Sequence, residues 1–198
     1  MPSPIGHALA GATAAWAVDL MPGRRAWRTA PAAAPWFARA GNGLTLTCAL
    51  LGVAADLDLL LPTHRTITHS VGAVIFVGLF AAALAANAGK PIVRVTVMCT
   101  AAYATHLVLD WLGADNFPPY GIRALWPFDD GWYISGLDVF GHTERHGITS
   151  GAAIRENAIA IAQEIAILLP VAAVTWLVRV KALAGLAAEM SRSDHAPQ

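Results

Sequence analysis

From Val71 to Ala88 the chain runs through eighteen residues without a charged side chain. A helix of that length covers about 27 Å, and a bilayer span needs about 20 residues, within roughly 17–25. Four further stretches can be measured against this run. Ile92–Leu112 is as long and carries His106 and Asp110 toward its end, and Ala158–Val180 contains Gln163, Glu164 and Pro170. Leu44–Leu61 is interrupted near its end by Asp56 and Asp58, while Ile5–Leu20 is short and rich in alanine. Hydrophobic residues make up 56% of the chain and charged residues 13%, against about 45–50% and 25% in soluble domains. The expectation is an all-α, multi-pass transmembrane bundle of four or five spans, forming one domain over residues 1–198.

Between the runs lie a basic, Pro/Ala-rich connector (Met21–Gly43), a long aromatic, Gly- and Pro-rich loop (113–157) and a polar tail (182–198). A loop of that length is usually functional or disordered. Met1-Pro2-Ser3-Pro4 carries no positive charge and the arginines follow the first apolar run, so no cleavable signal is expected. Thirteen basic and thirteen acidic residues leave no basic field that would attract nucleic acid. Cys48 and Cys99 both sit inside apolar runs, which argues against a disulfide framework or a thiolate zinc site.

Loop charge predicts orientation. With the N-terminus outside, Arg24, Arg25, Arg28, Arg39, Lys90, Arg94, Arg179, Lys181 and Arg192 fall on the cytoplasmic side, leaving Arg65, Arg123, Arg145 and Arg155 outside. The same alternation carries His7, Asp56, Asp58, His64, His69, His106 and Asp110 to the outer face. Separate segments thus converge on one layer.

The densest chemistry is Asp56-Leu57-Asp58, followed by His64-Arg65 and Thr68-His69-Ser70. Carboxylate oxygen with imidazole nitrogen suits zinc, manganese or iron(II); a polar helix end and a solvated turn would read the same way. In an ideal helix Asp56 and Asp58 point about 200° apart, so both can face one centre only if the helix ends or distorts there. His106 and Asp110 share one helix face at i and i+4 and can ligate one ion or form a structural pair. Ionisable groups inside a membrane are costly, which makes a functional role the default. His7 lies among Gly6, Ala8, Ala10 and Gly11, small residues that permit close helix approach. Glu164, about two turns into the last run, is a candidate ligand, base or supporting partner; pairing with Gln163 or a neighbouring helix is its bland reading. His142-Thr143-Glu144-Arg145-His146 offers two imidazoles and a carboxylate in the loop, whereas His195 belongs to the solvated tail. Trp111, Trp126 and Trp132 read as an interfacial belt, and Trp126-Pro127-Phe128 could also wall a pocket.

The ordered series Gly6–Gly11, Asp56–Asp58, His64–Ser70, His106–Asp110 and Gly121–Phe128 resembles the YdjM-like family of predicted membrane-bound metal-dependent hydrolases, over about Pro2 to Phe128. That family looks distantly similar to the all-helical zinc-dependent phospholipase C and single-strand nuclease group. The resemblance implies His7, Asp56, His64, His69, His106 and Asp110 as metal ligands, with Asp58 a ligand or supporting base. It implies an inner-membrane hydrolase that uses a metal-activated water, with zinc as the favoured ion and manganese or iron(II) as alternatives. Arg65 is then a candidate anion clamp, and the favoured substrate is a phospholipid or other phosphoester at the bilayer surface. The competing expectation is a non-enzymatic membrane metal-binding protein: a sensor, transporter accessory or carrier.

Overall fold

The computed structural model describes residues 1–21, 39–60, 64–145 and 147–194, with the side chains of 183 and 186–194 left aside. Most of the basic connector, Leu61 at the end of the second expected span, His146 and His195 lie outside the described residues. The described residues form five α-helices and no strands. Helix α1 (Pro4–Asp19) begins with Pro4 at its first turn and Ser3 as N-cap, whose Oγ accepts from Gly6 N at 3.3 Å. Helix α2 (Gly43–Ala54) starts in a capping box between Asn42 and Thr45 and passes into a 3-10 turn, Ala55–Leu60. A second 3-10 turn, Ile67–His69, leads into α3 (Val71–Asn87), which Ser70 caps by accepting from Ala73 N at 3.2 Å. Helices α4 (Ile92–Leu112) and α5 (Gly151–Asp194) complete the set.

Helix α1 packs on α2, α4 and α5, and α4 packs on α3. Ala15, Val18, Cys48, Ala81, Met98, Cys99 and Ala102 form a buried core of mostly small side chains. The outer surface is apolar as well: Ile75, Phe76, Leu79, Phe80 and Leu84 of α3 and Ile159, Leu169, Val171 and Val174 of α5 are exposed. An apolar face of this extent belongs against lipid rather than water. Among the described residues three segments are long and apolar enough to cross a bilayer, Gly43–Leu60, Ile92–Leu112 and Gly151–Ala182; α3 is a shorter apolar helix.

Two element boundaries differ from the sequence reading. Helix α5 starts at Gly151, where Ser150 Oγ accepts from Ala153 N, and continues to Asp194. The loop is therefore shorter than 113–157, and the tail is helical through Asp194. The loop is also ordered against the bundle. Val71 N donates to Ala124 O at 2.8 Å and Gly72 N to Trp126 O at 2.9 Å, while Ile122, bridged to Tyr133, is fully buried. Half-buried Trp126 lies against Gly72, where an added Cβ would come within 2.8 Å of its ring.

At the end of the bundle remote from His7, the carboxylate of Asp19 receives both Arg94 and Arg179, the latter through Nε at 2.6 Å. All three residues are buried, so two of the arginines counted for orientation are internal to the bundle.

Candidate metal centre

The order of helices brings His7 on α1, Asp56 after α2, His69 before α3 and His106 and Asp110 on α4 into one buried cluster. The close approach of α1 and α2 makes this possible. A Cβ on Gly52 would lie 2.3 Å from His7 O, and one on Gly11 would lie 2.4 Å from Cys48 O. Only hydrogen at both positions lets the backbones meet. His7 then stacks on His106, with ring centroids 3.8 Å apart and planes 17° from parallel.

The change from α-helix to 3-10 turn at Ala55 supplies the distortion that two carboxylates in the sequence Asp-Leu-Asp require. They take opposite edges of one imidazole. Asp56 Oδ1 lies 3.6 Å from His69 Nε2, and Asp58 Oδ2 lies 3.2 Å from His69 Nδ1. Asp58 also receives His64 Nδ1, Thr68 Oγ1 and the backbone N–H of Arg65 at 3.0 Å. It supports the imidazoles that face the cluster. Arg65 sits at φ 63°, sterically costly for a residue with a side chain, and the bond to Asp58 helps hold that turn. Its guanidinium is engaged by Asp115 and by Phe117 O at 3.0 Å.

His106 Nδ1 lies 2.7 Å from Gly52 O, an acceptor only, so that nitrogen carries the proton and Nε2 presents a lone pair when the ring is neutral. His69 is set in the same way by Asp58. The two Nε2 atoms face each other at 3.0 Å. At that separation either one nitrogen donates a proton to the other or a metal ion lies beside them. Burial opposes charge on His69, but its hydrogen bonds to the carboxylates of Asp110, Asp56 and Asp58 outweigh it and push its pKa up to about 11. The three carboxylates thus favour positive charge at His69, as a ring proton or as a bound ion.

Asp110 Oδ2 stands 3.3 Å from His69 Nε2 and 3.2 Å from His106 Nε2, and Asp56 Oδ1 stands 3.7 Å from His106 Nε2. Ligands about 2.0–2.2 Å from one tetrahedral ion lie about 3.3–3.6 Å from each other, so these separations are close to metal-ligand spacing. Asp110 Oδ1 turns the other way, 3.4 Å from His7 Nε2. Asp110 and His7 Nε2 meet only one another and the facing imidazoles, while His7 Nδ1 and His64 Nε2 are buried without a hydrogen-bond partner. Groups orphaned in this way cost free energy unless something else binds them. The donors divide into two sets that could each hold an ion, His7 with His106 and Asp110, and Asp56 with His64 and His69. His7, His106 and Asp110 are sealed, whereas the side chains of Asp56 and His64 keep 12% and 16% exposure, so the cluster opens on their side.

Glu164 is not brought to this cluster. Its two oxygens accept from Ser3 N at 2.7 Å and from Ser3 Oγ, tying α5 to the start of α1. A third set, His142, Glu144 and Glu156, lies on the loop and the first turns of α5 and is more exposed. The sequence reading missed Asp115, the Gly52 carbonyl and Asp19. A backbone acceptor leaves no trace in residue type, and Asp115 and Asp19 each stand apart from any recognisable spacing.

No curated protein matches this chain, and no solved structure does. One family, described as YdjM inner membrane protein, matches residues 1–186.

Proposed function

From a chain that belongs to the YdjM inner membrane protein family, and from six histidine and aspartate donors, four of them buried, gathered at one end of the bundle, we propose a membrane-embedded metal-dependent hydrolase acting on a phosphoester. The observation that carries the reading is the 3.0 Å approach of His69 Nε2 and His106 Nε2 with both Nδ1 positions already committed. His7, His106 and Asp110 would hold one divalent ion and Asp56, His64 and His69 a second, with zinc best suited and manganese or iron(II) also compatible. Three protein ligands per ion leave positions open, as catalytic sites require. Such ions supply water activation near neutral pH and neutralise charge on a phosphoryl oxygen.

The chain's own residues divide the remaining work. Asp58 orients His64 and His69, and Gly52 O orients His106. Asp110 joins the two sets by turning one oxygen to each. Glu164 seats α1, and with it His7. Exposed Leu57, Leu59 and Leu60 flank the open side, which favours a substrate with an acyl tail. We place this layer at the outer face of a multi-pass bundle, following the arginine distribution.

The test is metal analysis of detergent-purified protein after zinc or manganese reconstitution, followed by assay on a chromogenic phosphodiester and on phospholipid vesicles. About two ions per chain and turnover that disappears in His69→Ala are expected. Absence of stoichiometric metal overturns the metal reading, and full metal content without turnover on either substrate supports the sensor or carrier instead.

A further inference from the structure

Beside the donor cluster lies a small cavity of about 180 Å³, lined in part by Arg65, Asp115, Asn116, His142, Thr143 and Arg145. Pockets for drug-sized molecules run to about 300–1,000 Å³, so this one takes a fragment the size of a headgroup. Its two guanidiniums are not equivalent. Arg65 is neutralised by Asp115. The backbone N–H of Arg145 donates to Glu144 Oε1 at 2.9 Å, while among the described residues its guanidinium approaches the sulfur of Met1 at 3.9 Å and forms no salt bridge. A half-buried guanidinium that lines a cavity and meets only a weak sulfur acceptor keeps most of its five donors for a ligand.

The wall that carries Arg65 is continuous with the donor cluster, since Arg65 N donates to Asp58 Oδ2 and Asp58 holds His64 and His69. Thr143 anchors the opposite wall by donating N and Oγ1 to Met1 O at 3.3 and 3.2 Å. Glu144 and Asn157 pin the loop segment beside Arg145 to α5 through bonds of 2.6 and 3.0 Å. The guanidinium is thus presented from an anchored loop.

We infer that this cavity is a phosphate-binding subsite in which Arg145 supplies the recognising charge, with Arg65 and Asp115 forming a neutral, rigid wall. A phosphate presents the planar oxygen edge that an arginine fork engages bidentately. The assignment of this phosphate to a substrate rests on the hydrolase reading, but its binding does not require metal.

The experiment titrates inorganic phosphate into full-length, detergent-solubilised protein stripped with chelator, using calorimetry. Saturable binding is expected, weakened at least tenfold in Arg145→Gln, retained in part in Arg145→Lys and unchanged in Arg155→Gln, an exposed arginine on α5. Folding of each variant is checked by helical circular dichroism and reconstituted metal content. Failure of the wild type to bind phosphate, or equal binding in Arg145→Gln, overturns the subsite. Phosphate binding in a protein that never retains metal sinks the hydrolase reading and leaves the subsite standing. The titration is repeated in phosphatidylglycerol nanodiscs. Apparent affinity lower there than in detergent assigns the site to lipid headgroups, and equal affinity to soluble phosphate; both support a phosphate site.

Discussion

Nδ1 of His69 lies 3.2 Å from Oδ2 of Asp58, and the opposite nitrogen of the same ring faces His106 at 3.0 Å. One carboxylate therefore decides which edge of His69 is available to the cluster. Asp58→Asn replaces part of an acceptor that serves four donors with an amide that must itself donate. Outer partners of this kind are worth about 10–100-fold in metal affinity. Competition with a chromophoric chelator should show a loss in that range, with Asp56→Ala lowering stoichiometry instead. Wild-type affinity in Asp58→Asn would remove Asp58 from the supporting role.

Glu164 offers a clean contrast, because its carboxylate is committed to Ser3. Hydrogen bonds to charged groups contribute about 1.5–3 kcal/mol each. Glu164→Gln should lower the thermal midpoint while metal stoichiometry, read by elemental analysis, stays at the wild-type value. Loss of an ion at unchanged stability would make Glu164 a ligand.

The contact of α1 and α2 predicts a strong effect from one methyl group. Gly52→Ala inserts a Cβ 2.3 Å from His7 O and should cost about 1–3 kcal/mol, lowering the midpoint by several degrees. Gly43→Ala, where an added Cβ meets nothing within 4 Å, is the matched control. Equal midpoints for the two variants would show that the helices separate without penalty.

Asp19 is buried between Arg94 and Arg179. Removing the carboxylate from a buried ion pair costs about 3–5 kcal/mol. Asp19→Asn should therefore unfold at markedly lower denaturant than wild type, yet bind metal normally in whatever fraction remains folded. A stability equal to that of wild type would mean water already reaches these arginines.

Orientation is testable by chemistry. With Cys48 and Cys99 replaced by alanine, a cysteine at exposed Asn116 should react with an impermeant thiol reagent in intact cells. One at exposed Asn87, at the far end of α3, should react only after the membrane is opened. The reverse pattern inverts the bundle, and labelling of both from one side would contradict the alternation of helices.

The helical architecture was legible because apolar runs of span length have few other solutions, and Ile92–Leu112 appears with those bounds. The donor types were legible because His and Asp stand out against apolar neighbours, and alternation of direction suffices to bring them to one end. What periodicity does not encode is how rings are oriented. The tautomer of His106 is set by a backbone oxygen, and the pairing of Arg65 with Asp115 spans fifty residues. The extent of α5 escaped because hydropathy marks the lipid-compatible part of a helix and says nothing about where its hydrogen-bonding ends.

Fifteen residues of α5 separate Glu164, level with the N-cap of α1, from Arg179, level with Asp19. At helical rise that is about 22 Å, against a hydrocarbon thickness of about 30 Å. Both layers are buried, so they are internal clamps on α1 and α5 and do not bound the surface that lipid meets. The apolar segment around them, Gly151–Ala182, exceeds the length a bilayer needs, and such an excess is accommodated by tilting. A tilted bundle would carry its two internal clamps at an angle to the membrane normal, so the separation of Glu164 and Arg179 along α5 exceeds their difference in depth.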